Sequence, residues 1–217
     1  MISDEIYAGD SARLNAEPES SANPRCARIT RKTRETDITL ALTLDGSGKA
    51  DIDTGIGFFD HMLEALCRFG LMDIDLRCAG DLRVDAHHTM EDCGLCLGEA
   101  LAGSLGDKRG IRRVAHAYVP MDEALAFCAL DFSGRPYLVF DAPLAAGQLL
   151  GGADAQLYEE FLRALAASAR ATLHIRATGV NLHHIVEAIM KALGRAIDDA
   201  KLADSRVSGV PSTKGLL

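Results

Sequence analysis

An internal repeat constrains this chain more than any other feature. His87-His88-Thr89-Met90-Glu91 and His183-His184-Ile185-Val186-Glu187 share the pattern H-H-x-x-E, each at the start of a stretch with helical spacing. The flanking sequence repeats with them. In the first copy a strand alternates through Ile38, Leu40, Leu42 and Leu44 and turns at Asp45-Gly46-Ser47-Gly48, after which a hairpin is expected. Helical spacing follows from Phe58 to Phe69, alternation from Met72 to Cys78, and helical spacing again from Thr89 to Leu105. In the second copy Ala124 to Phe132 reads as a strand, Tyr158 to Ala169 as a helix, Thr172 to Ala177 as a strand and Ile185 to Ala200 as a long helix. Ser133-Gly134-Arg135 stands where Ser47-Gly48-Lys49 turned the first copy, and Arg176-Ala177-Thr178-Gly179 matches Arg77-Cys78-Ala79-Gly80. A period of roughly 95 residues is too long for a solenoid. Two α+β units, about 30–110 and 122–205, are therefore expected to pack as one body.

The repeat also carries chemistry. Residues four apart share a helix face, so His87 converges with Glu91 and His183 with Glu187, while His88 and His184 point about 100° away. Imidazole with carboxylate suits a borderline divalent metal such as Mn, Fe, Co, Ni or Zn better than calcium or magnesium. One His-His pair near a helix start is usually surface or cap structure. Two pairs with the same Glu offset are not expected by chance, and metal binding is the better reading. Symmetry suggests an exchange in which His184 completes the His87–Glu91 pair and His88 completes His183–Glu187. His61, 26 residues before His87, is expected at the His183 site, and Glu160, 23 before His183, at the His87 site. His116 and His174 have no partners in register and read as structural.

Composition removes other classes. The 217 residues hold 23 Lys+Arg against 31 Asp+Glu, a net charge of −8, so no basic excess exists to neutralise a nucleic-acid backbone. With 48% hydrophobic residues and 25% charged, most of the chain is long and apolar enough to fold. No basic leader followed by an apolar core is seen and no run of about 18 apolar residues occurs, so a cytoplasmic protein with no membrane partner is expected. Residues 1–25, with Pro18, Pro24 and few apolar positions in register, read as a mobile extension before a domain spanning 26–217. Six cysteines fit reduced thiols, and the Cys93-x-x-Cys96 pair, lying in a helical pattern, reads as core packing. Thr54-Gly55-Ile56-Gly57 before a helix is a weak anion-site candidate.

Together with Lys32 to Asp37, Gly55 to Leu63, Asp85 to Asp92, Pro120 to Leu125, Ser133 to Tyr137 and the terminal Pro211-Ser212-Thr213-Lys214-Gly215, these segments resemble the imidazoleglycerol-phosphate dehydratase family of histidine biosynthesis. The resemblance runs from about Arg28 to Leu217. It implies an internally duplicated α+β half-domain, with two four-stranded sheets sandwiching a layer of helices. It also implies two Mn(II) ions per active site, sites formed between subunits, and a homo-oligomer of 24 chains. The family's metal ligands fall on His61, His87, His88, Glu91, His183, His184 and Glu187; the eighth position, often histidine, is Glu160 here. Substrate contacts fall on Glu35, Arg113, Arg135, Lys191, Ser212 and Lys214, and the carboxylates placed at the chemistry are Glu35, Glu91 and Glu187. The implied reaction removes water from D-erythro-imidazoleglycerol phosphate to give imidazoleacetol phosphate. No carbonyl activates the carbon acid, so metal ions on the ring nitrogens would serve as Lewis acids and template, with Glu35, or in its place a metal-bound water, as proton shuttle. Two other readings share the inventory: a dinuclear hydrolase of a phosphate ester, and a metal-storage or assembly module.

Overall fold

A computed structural model of the chain describes residues 24–217. The N-terminal extension expected over 1–25 therefore lies almost wholly outside the described residues. Arg25, at its end, is held: Nε donates to Asp45 Oδ2 at 2.7 Å and Nη1 to the Lys201 carbonyl at 2.9 Å.

The first copy runs β1 (Cys26–Lys32), β2 (Thr36–Thr43), β3 (Ala50–Asp53), α1 (Gly57–Gly70), β4 (Asp73–Gly80) and α2 (His87–Leu105). The second runs β5 (Val114–Met121), β6 (Ala124–Asp131), β7 (Tyr137–Asp141), a short β8 (Leu149–Leu150) and β9 (Ala153–Asp154) pair, α3 (Leu157–Ser168), β10 (Thr172–Thr178) and α4 (Leu182–Lys201). The sheet orders are the same, β1-β2-β4-β3 and β5-β6-β10-β7, with the last strand of each parallel to its neighbour and the others antiparallel. The fold is α+β, with two four-stranded sheets and four helices, as the resemblance implies.

Two expectations need correction. No β2–β3 hairpin forms. Asp73 Oδ1 accepts from the Ser47 and Lys49 amides at 2.7 and 2.8 Å, and Gly46 N donates to the Leu71 carbonyl, which draws the turn across to the α1–β4 junction. β3 then pairs in parallel with β4. The hairpins are β1–β2 and β5–β6 instead. The second copy also begins at β5, before residue 122: β1 and β5 are edge strands whose residues alternate between exposed and only partly buried, with none fully buried to mark them as core strands.

The core lies between the sheets. On β2, Ile38, Leu40 and Leu42 point inward alternately, and on β6 Ala126, Cys128 and Leu130 do the same. α2 covers β1 and β2, and α4 covers β5 and β6; α1 then packs on α4, and α3 on α2. Each copy's first helix thus crosses to the other copy's second helix. Cys93 and Cys96 are buried among these helices, as expected of packing residues, whereas Cys26 is exposed; no described cysteine is in a disulfide. The buried Lys201 ammonium ties the layers by donating to the carbonyls of Leu44, Gly70 and Leu71 at 2.8, 2.6 and 2.9 Å. Among the described residues no helix is long and apolar enough to cross a membrane.

Candidate metal centre

Both second helices start the same way. The Asp85 carboxylate accepts from His87 N at 2.8 Å, and the Asn181 side chain accepts from His183 N at 2.9 Å. These side chains satisfy amides that a helix start leaves unpaired, and they fix the next residues as the first turn. The pattern is thus longer than it first looks: Asx-x-H-H-x-x-E in both copies.

One turn on, the copies diverge. In α4, His183 Nε2 lies 3.0 Å from Glu187 Oε2. α1 packs alongside and brings His61 Nε2 to 3.9 Å from the same oxygen. His61, His183 and Glu187 each offer a donor atom, all within 4.8 Å of one another. Donors about 2.1 Å from one ion can stand at most about 4.2 Å apart, so small side-chain adjustments would close this group on a divalent cation. The chemistry fits as well: two imidazoles and a carboxylate suit a borderline metal. Phe58 packs edge-on to the His183 ring, centroids 4.9 Å apart. Burial opposes charge on Glu187, but Lys191, whose ammonium is 2.7 Å from Oε1, and His183 more than offset it and hold the carboxyl below its ordinary range. Lys191, expected at the substrate, is engaged by Glu187 in this chain.

In α2, His87 Nε2 is 3.8 Å from Glu91 Oε2, and both side chains are half exposed. His61 stands at the His183 site as expected. Glu160 is not brought to His87; its carboxylate faces Arg163 Nε at 3.7 Å. The exchange of second histidines is likewise not formed within one chain, where the described residues hold a single three-donor group. The reason is direction. His184 turns to Glu123, Nδ1 to Oε2 at 2.8 Å, and His88 to Asp81, Nδ1 to Oδ2 at 3.1 Å. The Glu123 hydrogen bond raises the His184 pKa, and the hydrogen bonds that the Glu123 carboxylate makes to His184 and accepts from the Asn181 amide take Glu123 down to about 2. Asp81 raises the His88 pKa in the same way. Asp81 and Glu123 went unnoticed in the sequence; the signal for Glu123 was its place just before β6, the place Glu35 holds before β2.

Glu35 lies on the β1–β2 turn, with Oε1 3.9 Å from His88 Nε2. The Thr33 hydroxyl accepts from the Glu35 and Thr36 amides, and Thr36 Oγ1 donates to the buried Asp92 at 2.5 Å, fixing that turn to α2. The anion site considered at Thr54–Gly57 is closed by carboxylates: Asp60 takes the Thr54 amide and hydroxyl, and Asp53 the Gly55 amide.

The phosphate-suited residues gather elsewhere. Arg113 Nε and Nη2 form a two-pronged pair with Asp131 at 2.6 and 2.9 Å, and Nη1 donates to the Pro211 carbonyl at 2.6 Å, which seats the C-terminal tail. The tail then folds over the Ser133–Arg135 turn, where a Cβ on Gly134 would meet Leu217 carbonyl carbon at 2.8 Å. Ser212 and Lys214 lie on this tail, the Ser212 hydroxyl accepting from the Lys214 amide at 3.2 Å. Arg113 N also donates to the Ala200 carbonyl, so this corner sits at the C-terminal end of α4, with His183 at the other. A 20-residue helix is about 30 Å long.

Three comparisons bear on this arrangement. Residues 54–197 match the model of the family described as imidazoleglycerol-phosphate dehydratase. The imidazoleglycerol-phosphate dehydratase of Acetivibrio thermocellus is 56% identical over 190 residues, covering 87% of this chain and 97% of that protein. That of Symbiobacterium thermophilum is 56% identical over 194 residues, 89% and 93% of the two chains. Among solved structures, imidazoleglycerol-phosphate dehydratase from Staphylococcus aureus superposes with a TM-score of 0.74 at 36% identity, covering 82% of this chain and 99% of the other. The IGPD of Pyrococcus furiosus in complex with (S)-C348 gives 0.74 at 37%, covering 87% and 100%.

Proposed function

The chain belongs to the imidazoleglycerol-phosphate dehydratase family, and from that membership we propose that it is a lyase of histidine biosynthesis, removing water from D-erythro-imidazoleglycerol phosphate to give imidazoleacetol phosphate. The observation that carries the chemistry is the group His61, His183 and Glu187, with the matching His87–Glu91 pair in the other copy. We assign Mn(II), two ions per active site, to His61, His87, His88, Glu91, His183, His184 and Glu187. Bound there, the ions supply Lewis acidity at the substrate's ring nitrogens. Glu160, turned to Arg163, is left out of this set.

The rest follows from the chain's own groups. The net change removes a proton from one carbon and hydroxide from its neighbour, and the resulting enol becomes the ketone. We assign that proton to Glu35, which is half exposed and lies on a turn fixed to α2. General acid–base catalysis of this kind contributes typically about 10²- to 10⁴-fold. Arg135, Ser212 and Lys214 form the phosphate clamp. Arg113 supports it by seating the tail through the Pro211 carbonyl, while Asp131 occupies the rest of its guanidinium.

The length of α4 makes assembly part of the reading. A three-carbon phosphate ester with one ring cannot reach from His183 to Arg113 in the same chain, so one chain's clamp must serve another chain's histidines. Exposed apolar side chains sit where such contacts are needed: Val84 is 70% and Val180 87% exposed, each in the loop before a His-His pair. A 24-subunit particle meets this requirement.

The test is conversion of imidazoleglycerol phosphate by chelator-stripped protein, before and after Mn(II) is restored, following ketone and free phosphate together. Ketone that returns with Mn(II), without phosphate release, is the expected result. Phosphate release would instead establish the hydrolase, and neither product from metal-loaded protein would leave a storage or assembly module.

A further inference from the structure

His88 and His184 are equivalent, and each is held at Nδ1 by a carboxylate that no duplication rule supplies. Glu35 and Glu123 are also equivalent, each the last residue before the second strand of its sheet. Yet they do different things. Glu123 Oε2 takes His184 Nδ1 at 2.8 Å, and Oε1 accepts from the Asn181 and Val180 amides at 2.7 and 3.2 Å. Glu35 does not touch His88 Nδ1, because Asp81 has taken it, at 3.1 and 3.3 Å from its two oxygens. The loop lengths explain the exchange. Six residues, 81–86, separate β4 from α2, whereas the stretch from β10 to α4 is three residues shorter and puts Val180 after the shared glycine. With no acidic side chain there, the second copy must use Glu123.

A carboxylate at Nδ1 fixes the tautomer with its proton on that nitrogen and leaves the Nε2 lone pair for a ligand bond. Both Nε2 atoms are free for it: His184 Nε2 is 3.8 Å from Asp122 and His88 Nε2 is 3.9 Å from Glu35, beyond hydrogen-bond range. We infer that Asp81 and Glu123 are positioning residues that present His88 and His184 to divalent metal, and that Asp81 does so in place of Glu35, releasing Glu35 to face the substrate. This rests on the metal-dependent reading above.

The experiment titrates Mn(II) into chelator-stripped, full-length protein and its Glu123→Gln, Asp81→Asn and Glu35→Gln variants, counting bound ions. Glutamine keeps an oxygen for the two loop amides, so Glu123→Gln isolates the histidine contact. Glu123→Gln and Asp81→Asn should each weaken one class of sites by about 10- to 100-fold. The unfolding midpoint of the metal-free variants should not move, and Glu35→Gln should bind Mn(II) as the parent does. Excess Mn(II) should restore turnover in Glu123→Gln but not in Glu35→Gln. Parent-like affinity in Glu123→Gln, or equal weakening in Glu35→Gln, overturns the inference; should Glu123→Gln not fold, Asp81→Asn decides by the same criteria. A parent that binds no Mn(II) overturns the metal-dependent reading itself, and this inference with it.

Discussion

The two copies share a sheet order, a helix pairing and a seven-residue motif, but they present unequal metal-binding groups. In the second copy His183 and Glu187 are 3.0 Å apart, Glu187 is buried and paired with Lys191, and His61 arrives from α1. In the first, His87 and Glu91 are 3.8 Å apart, half exposed, and Glu160 looks away. The motif therefore sets which helix face bears the donors. Whether they form a closed group is decided by the one residue that the crossing helix delivers.

The largest test of that difference is Glu187→Gln against Glu91→Gln. Glu187→Gln removes the shared oxygen of a preformed group and strands Lys191. Its expected cost in Mn(II) affinity is at least about 100-fold, above the range for outer-shell partners. Glu91→Gln removes one of two donors that need another chain, so its loss should appear only in the assembled protein. Metal analysis after equilibrium dialysis, on assembled and dissociated samples, separates them. Equal losses in the dissociated chain would mean that the second copy is not preformed.

A smaller effect separates His61 from Glu160. Glu160 is the true equivalent of His61: each lies 19 residues before the shared glycine, Gly80 or Gly179. The unequal offsets to the His-His pairs come from the three-residue difference in the following loop. His61→Ala should weaken Mn(II) binding at the second-copy group by about 10-fold or more, comparable to an outer-shell loss or larger. Glu160→Ala should stay within about 3-fold, since an exposed pair with Arg163 contributes little. A loss in Glu160→Ala as large as in His61→Ala would show that Glu160 turns inward when metal binds.

Much of this was legible in the sequence, for reasons specific to each element. α1 to α4 announce themselves through apolar positions three and four apart, and β2, β4, β6 and β10 through alternate burial. The histidine pairs were legible because helix periodicity alone puts His183 beside Glu187. β1 and β5 were not, because in these edge strands every second residue is exposed and the others are only partly buried, which leaves little contrast along the strand. The partner of β3 was not, since Asp73, distant in sequence, chooses it by capturing the Ser47 and Lys49 amides. That His88 and His184 face Asp81 and Glu123 within one chain was not legible for a similar reason. Symmetry arguments see positions, while Asp81 and Glu123 decide directions.

The smallest expected effect concerns the scaffold that the copies share. Gly98 on α2 and Gly194 on α4 both lie 11 residues after the first motif histidine, and both let the crossing helix approach backbone to backbone. A Cβ on Gly98 would stand 2.5 Å from the Leu165 carbonyl oxygen and 2.8 Å from Ala169 N; one on Gly194 would stand 2.7 Å from the Leu66 oxygen and 2.9 Å from Gly70 N. These are main-chain atoms, so alanine forces the helices apart, at about 1–3 kcal/mol for overpacking. Helix propensity returns about 1 kcal/mol, because glycine is the poorer helix former. The net loss should be at most about 2 kcal/mol in each variant, read from denaturant midpoints of the metal-free protein. The copies then part on metal. Gly194→Ala displaces α1 and with it His61, so it should weaken the second-copy group as well as the fold; Gly98→Ala displaces α3, which carries only Glu160, and should leave Mn(II) affinity unchanged. Equal metal loss in both would mean that the crossing helices act on the centre through general loosening, and not through the one histidine that α1 delivers.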